Sequence, residues 1–164
     1  MVQTASAAAP LRCQSGRIDE SDRSLRNCTY TLFVELGMAP TIHAVAAKMN
    51  WTSDEVAAGW RRLHAGHALV LQDKVDEIRM ANPFSAIPTA YRVQANGRSW
   101  FGNCAWDAFG ILAALHADGR IETSCPDCGD PITIDIKDGR PDDETLRFHC
   151  LVPAASWWDE IAFT

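Results

Sequence analysis

Hydrophobic positions recur at helical spacing through the first part of the chain. Over residues 22–37, Leu25, Cys28, Thr29, Leu32, Phe33 and Leu36 fall near one face of a 3.6-residue period, and Gly37 supplies a stop. Pro40-Thr41 opens a second short helix over 42–49, with Val45, Ala46 and Met49 inward. Asn50-Trp51-Thr52-Ser53 reads as a turn. Thr52 or Ser53 caps a third helix, because Asp54 and Glu55 occupy its first turn and complement its positive end. That helix carries Val56, Trp60 and Leu63 and ends near Gly66. Ala68-Leu69-Val70-Leu71 is a short apolar strand, and Ile78-Arg79-Met80 follows a polar bend. Three short helices and a hairpin make a winged-helix-like pattern.

The period changes after a Pro-rich, loop-like stretch at 81–88. Ala90-Tyr91-Arg92-Val93-Gln94 and Arg98-Ser99-Trp100-Phe101 alternate about Asn96-Gly97, a strong hairpin signal. Residues 104–115 read as a helix with Asn103 as its N-cap, followed by strands at 121–124, 132–136 and 146–152. Residues 156–163 read as the start of a further helix. The expected class is α+β: a winged-helix-like three-helix module, then a mostly antiparallel sheet with one central helix. The expected division is a tail at 1–20, a first domain at 21–80 and a second at 81–164.

The net charge of −6 argues against a generic nucleic-acid binder, although the third helix carries Arg61, Arg62 and His64. No apolar run is long enough to span a membrane, and the first ten residues do not read as a signal peptide. The six cysteines, at 13, 28, 104, 125, 128 and 150, are therefore expected to be cytoplasmic thiols, available to soft metals or as nucleophiles.

Cys104 and Asp107 stand three residues apart at the start of the expected helix, so both project from one face. The helix dipole there favours thiolate, the ligand mercury prefers, and a neighbouring carboxylate can take up and return a proton. A half-buried cysteine beside a solvated aspartate would give the same spacing. Cys125-Pro126-Asp127-Cys128-Gly129 resembles half of a zinc site without a second pair; the competing reading is a turn with two thiols. His43, His64, His67 and His116 show no ligand spacing and read as surface or capping residues. Trp100, Trp106, Trp157 and Trp158 are expected in the core or lining an apolar pocket.

The wider setting of Cys104 carries more. Tyr91-Arg92-Val93, Gly97-Arg98, Trp100-Phe101, Cys104-Ala105-Trp106-Asp107 and Gly110-Ile111 resemble the catalytic core of organomercurial (alkylmercury) lyases. So do Arg120-Ile121-Glu122, Cys125, Gly129-Asp130-Pro131-Ile132 and, upstream, Phe84-Ser85 and Ile87-Pro88-Thr89. The resemblance covers about residues 22–164 and is strongest over 84–136. It implies protonolysis of a carbon–mercury bond to a hydrocarbon and Hg(II), with no organic cofactor. Cys104 matches the cysteine that captures mercury, Asp107 the proton carrier, and Cys125 a mainly structural cysteine. Cellular thiols or a mercuric reductase would receive the Hg(II). The family's second catalytic cysteine falls, by register, immediately after Thr164, where the sequence stops. Cys150 is the nearest candidate for that second thiol, although its pairing with Phe148 on one strand face suits a core residue better. Cys125 with Cys128 remains the weaker alternative metal site, for zinc or another soft metal. Two rival functions stay open: a non-catalytic mercury or soft-metal binder, and a winged-helix regulator sensing metal through Cys104, Cys125, Cys128 and Cys150.

Overall fold

The computed structural model describes residues 19–147, 152–159 and 161. Cys13, Cys150 and most of the expected strand at 146–152 lie outside them. Its first three elements follow from their caps. In α1 (Glu20–Leu36) the Asp19 side chain accepts from the Asp22 amide at 2.7 Å, and Gly37, at φ 73°, closes the C-terminus with a bond to the Phe33 carbonyl. Thr41 caps α2 (Ile42–Met49), and Asn50 ends it in the left-handed region. Thr52, rather than Ser53, caps α3 (Ser53–Ala65), because Glu55 returns the bond to the Thr52 amide at 2.7 Å and completes a capping box.

The three helices bury Leu25, Leu32, Phe33, Val45, Val56, Trp60 and Leu63 against one another. Polar groups within them are paired. Thr29 donates to the Leu25 carbonyl at 2.9 Å and accepts from Trp60 Nε1 at 3.0 Å, both buried. The Asp22 side chain, only 9% exposed, is held by a two-pronged Arg62 fork. Arg62→Ala should therefore destabilise the fold by about 1–3 kcal/mol in urea unfolding, less than for a fully buried pair because Arg62 itself is half exposed. An unchanged midpoint would show that water solvates Asp22 equally well.

The sheet is antiparallel and eight-stranded, in the order β1 (Val70–Leu71), β2 (Ile78–Ala81), β3 (Phe84–Ser85), β5 (Arg98–Gly102), β4 (Tyr91–Ala95), β6 (Gly119–Ser124), β7 (Pro131–Lys137), β8 (Arg140–Pro141). Asn96 and Gly97 turn the β4–β5 hairpin with φ of 51° and 74°, as their sequence signal requires. The stretch expected to be a loop at 81–88 contains β3. Met80 pairs with Ser85, and Phe84 with Gly102, so β3 joins the first hairpin to the second half of the chain in one sheet. Phe84 stacks on Phe33 with centroids 5.2 Å apart, and Trp100 Nε1 donates to the Phe33 carbonyl at 3.0 Å. These contacts lock α1 onto the sheet.

Helix α4 (Ala105–Leu115) packs on the sheet through Ala108, Ile111 and Leu112. Two further expectations are corrected. Trp106 is 63% exposed, because the helix phase that buries Ala108 and Ile111 turns it outward. Where a helix was expected from 156, the described residues form a 3-10 turn at Ala154–Ser156 and i to i+3 turns beyond it, held by Ser156 N–H to Pro153 O at 2.9 Å and Asp159 N–H to Ser156 O at 3.2 Å. Among the described residues no helix is long and apolar enough to cross a membrane.

Candidate functional site

Strand β5 delivers the chain directly into α4. Gly102 ends the strand, and a Cβ there would lie 2.8 Å from the Ala108 amide nitrogen. The close approach seats the first turn of α4 against the sheet. Asn103 was expected to cap this helix, but Cys104 occupies the N-cap position, with φ −145° and ψ −177°. Asn103 instead turns its Nδ2 to Asp107 Oδ2, at 3.0 Å, and to Asn82 Oδ1, at 3.2 Å. Its Nδ2 thus donates to the carboxylate four residues ahead, and its Oδ1, the atom that would cap a helix, has no hydrogen-bond partner.

Cys104 and Asp107 are brought together as the spacing implied. Their side chains are close enough for each to shift the other's titration, and both are partly buried. Burial raises the Cys104 pKa above the usual thiol value, outweighing the Asp107 and Trp106 amides that favour the thiolate. The expected dipole-activated thiolate is thus corrected: the amides point the right way, but desolvation wins. Burial likewise raises the Asp107 pKa, against the lowering effect of its bonds to Asn103 and Cys104. The pair therefore holds protons more tightly than the same groups in water.

Two contributors come from distant sequence. Tyr30, on α1, donates its hydroxyl to the Asn82 carbonyl at 2.9 Å. Its pKa is raised by burial, and the Asp107 charge adds to the rise, which places the phenol within electrostatic range of the pair. Asn82 thus accepts from both Tyr30 and Asn103. Neither residue carried a local sequence signal, since neither belongs to a recognisable spacing with Cys104.

A cavity of about 480 Å³ adjoins the first turns of α4, lined by Tyr91, Ala105, Phe109, Ile132, Ile134 and Leu146 among others. Its wall is mainly apolar. Neither Cys104 nor Asp107 lines it; Ala105, the next residue, does.

Cys125 and Cys128 sit apart, in the β6–β7 turn. Amides of Cys128 and Asp127, with the Cys128 thiol, lower the Cys125 pKa. The Asp130 amide favours Cys128 thiolate, but the Asp130 carboxylate, the Cys125 sulfur and burial together outweigh it and raise the Cys128 pKa. Among the described residues no group of three or more His, Cys, Asp or Glu gathers as a metal site. His64 accepts from the Leu71 amide at 3.3 Å through Nδ1, and His67 stacks on Trp158 with centroids 4.3 Å apart.

The Gly102–Ala108 approach is testable. Gly102→Ala must push α4 outward, since the three nearest atoms are all backbone. We expect a loss of about 1–3 kcal/mol in denaturant unfolding, together with a changed alkylation rate at Cys104. An unaltered rate would mean that the site does not depend on this seating.

Residues 84–164 match the family model MerB, alkylmercury lyase. No curated protein matches the chain. Among solved structures, the crystal structure of the mercury-bound form of MerB2 is similar, with a TM-score of 0.62 and 21% identity over 77% of this chain. The chain spans 61% of that protein's length, and the likeness is one of fold.

Proposed function

Residues 84–164 belong to the alkylmercury lyase family, and on that premise we propose that this protein cleaves carbon–mercury bonds by protonolysis, releasing a hydrocarbon and Hg(II). The observation that carries the reading is the Cys104 thiol beside the Asp107 carboxyl at the start of α4. A soft thiol and an adjacent proton carrier are the two groups this reaction needs.

Organomercurial bound to a cellular thiol, R–Hg–SR′, exchanges onto Cys104: the Cys104 proton passes to the ionised Asp107, a bond from Cys104 Sγ to mercury replaces that of the small thiol, and R′S⁻ leaves as thiolate. A second thiolate then adds to mercury and raises electron density at the attached carbon. Asp107 returns its proton to that carbon; the Hg–C bond breaks, R–H leaves, and Hg(II) remains between two sulfurs. Burial of the pair favours a carboxyl that retains its proton until the carbon is presented. Asn103, itself held by Asn82, holds the carboxyl in place from one side, and the apolar cavity beside Ala105 suits the organic group R. The second thiolate comes from a low-molecular-weight thiol or from a further cysteine. Cys150, the candidate named from sequence, lies outside the described residues. A thiol-rich, reducing cytoplasm, with cellular thiols or a mercuric reductase as acceptor, suits this chemistry.

Regulation through DNA finds less support. On α3, Arg61 pairs with Asp76 and Arg62 with Asp22, so both guanidinium groups are committed to carboxylates rather than free for phosphates. The division of the chain near residue 81 also stands as a proposal, one that the continuous sheet crosses.

The direct test is incubation with phenylmercury and excess thiol, with benzene measured in the headspace. Benzene should form with the unaltered protein and fall to background in Cys104→Ala. Mercury retained on the protein without benzene would support a mercury binder and overturn the lyase.

A further inference from the structure

The Cys125–Cys128 turn has the geometry of a ligand site that the chemistry at Cys104 does not use. The two thiols stand on one tight turn, three residues apart, and each shifts the other's titration. Cys128 is exposed and Cys125 half-buried, so the pair is open to solvent on one side. The turn is held from both ends: Cys125 N–H donates to Asp130 O at 2.8 Å, and Gly129 N–H to Cys125 O at 2.9 Å. Gly129 takes φ 78°, which L side chains rarely adopt. Two amides, of Cys128 and Asp127, face the Cys125 sulfur, as they would face a metal-bound thiolate. Pro126, between the cysteines, lines the same cavity as Ala105 and Phe109. The turn that carries the dithiol therefore stands at the rim of the cavity that the start of α4 also lines.

We propose that Cys125 and Cys128 form a second, two-thiol holding site for Hg(II) at the cavity rim, separate from the Cys104–Asp107 pair. Structural zinc takes four ligands; the Asp130 carboxylate reaches the Cys128 thiol, but among the described residues no group of three or more His, Cys, Asp or Glu gathers as a metal site. Divalent mercury is satisfied by two sulfurs. The exchange is balanced without any redox step. Mercury arrives as a bis-thiolate complex, Hg(SR)2, and both S–Hg bonds to the small thiols are replaced by bonds to Cys125 and Cys128. The two protein thiol protons leave on the two departing thiols. The second exchange is intramolecular, so its effective thiol concentration is high, which favours the protein over a monothiol. That the site receives mercury released at Cys104 rests on the lyase reading; that it binds Hg(II) does not.

The experiment uses inorganic Hg(II), added as its glutathione complex to the full chain carrying Cys104→Ser, with glutathione kept in excess. Retained mercury is counted after desalting and located by peptide mass mapping. We expect one equivalent on the peptide that holds Cys125 and Cys128, lost in either Cys125→Ser or Cys128→Ser. Both substitutions lie in a solvent-facing turn, and matching urea midpoints would establish that the variants fold. Zn(II) under the same competition should be washed away. Mercury mapped to other cysteines, or retention unchanged by both substitutions, overturns the site. Zinc retained as firmly as mercury overturns the two-ligand assignment. Benzene formation by the unaltered chain is read separately, so failure of the lyase reading leaves this result intact.

Discussion

Asp107→Asn should lower benzene release from phenylmercury by about 100- to 10,000-fold, the range for removal of a positioned proton donor, while making the fold more stable above the ordinary carboxylate range. The two effects have one cause. Asp107 is partly buried, and its folded pKa lies above its unfolded value. A raised carboxyl pKa stabilises the fold fully only below the unfolded pKa, and that contribution is lost as pH rises through the folded pKa. The unfolded chain gives up this proton first and is solvated more cheaply. Asparagine keeps the shape and can still accept from Asn103 through Oδ1, but carries no charge to desolvate. The melting temperature of the variant should therefore pull ahead of the unaltered protein as pH climbs from the unfolded pKa to the folded one, and stay ahead above it. Thermal melts at several pH values check this. A variant that loses both activity and stability at neutral pH would mean that the charged Asp107 holds the site together despite its burial.

The largest stability effect belongs to Trp60. It is fully buried where α1 and α3 meet, and its indole N–H donates to Thr29 Oγ1 at 3.0 Å. Trp60→Ala should cost about 3–5 kcal/mol, since it removes the ring's apolar burial and leaves a cavity among Leu25, Val56 and Leu63. Typical domains have about 5–15 kcal/mol in all, so a large share of the molecule would unfold at low urea. Trp60→Phe separates the terms: it keeps most of the apolar volume and forfeits the hydrogen bond, for about 1 kcal/mol. Thr29 would still donate to Leu25 O, so its hydroxyl is not stranded. Urea midpoints for the two variants decide the matter. If they were equal, the hydrogen bond rather than the packing would hold the helices.

Where the chain states its own boundaries, they were legible. Thr52 with Glu55, Gly37 after Leu36, and Asn96-Gly97 each encode a local geometry that tertiary contacts need only accept. The nearness of Cys104 and Asp107 was legible too, because an N-cap side chain and the residue three places on lie together at a helix start. Strand β3 was not. Two residues are too few to show a period, and Phe84-Ser85 becomes a strand only because β2 and β5 stand on either side of it. Trp106 was misplaced because size suggests burial, whereas helix phase decides it. Asn103 was assigned a cap because its residue type favours one; the helix starts one residue later, at the Cys104 N-cap, and Asn103 donates through Nδ2 to Asp107 while its Oδ1 caps nothing. The direction of the Cys104 pKa depended on how much chain covers the thiol, which no spacing reveals. Tyr30 reaches the site through the docking of α1 on the sheet, and Asn82 through the pairing of β3 with β5.

The central claim is that Cys104 takes the mercury and Asp107 supplies the proton. A single-turnover experiment with phenylmercury and Asp107→Asn, followed by intact-mass and peptide mapping, separates these steps. The account predicts a phenylmercury adduct that stays on the Cys104 peptide with its carbon–mercury bond unbroken, while the unaltered protein retains only mercury and releases benzene. A phenylmercury adduct mapped to another cysteine, or benzene released by the variant as fast as by the unaltered protein, would contradict it.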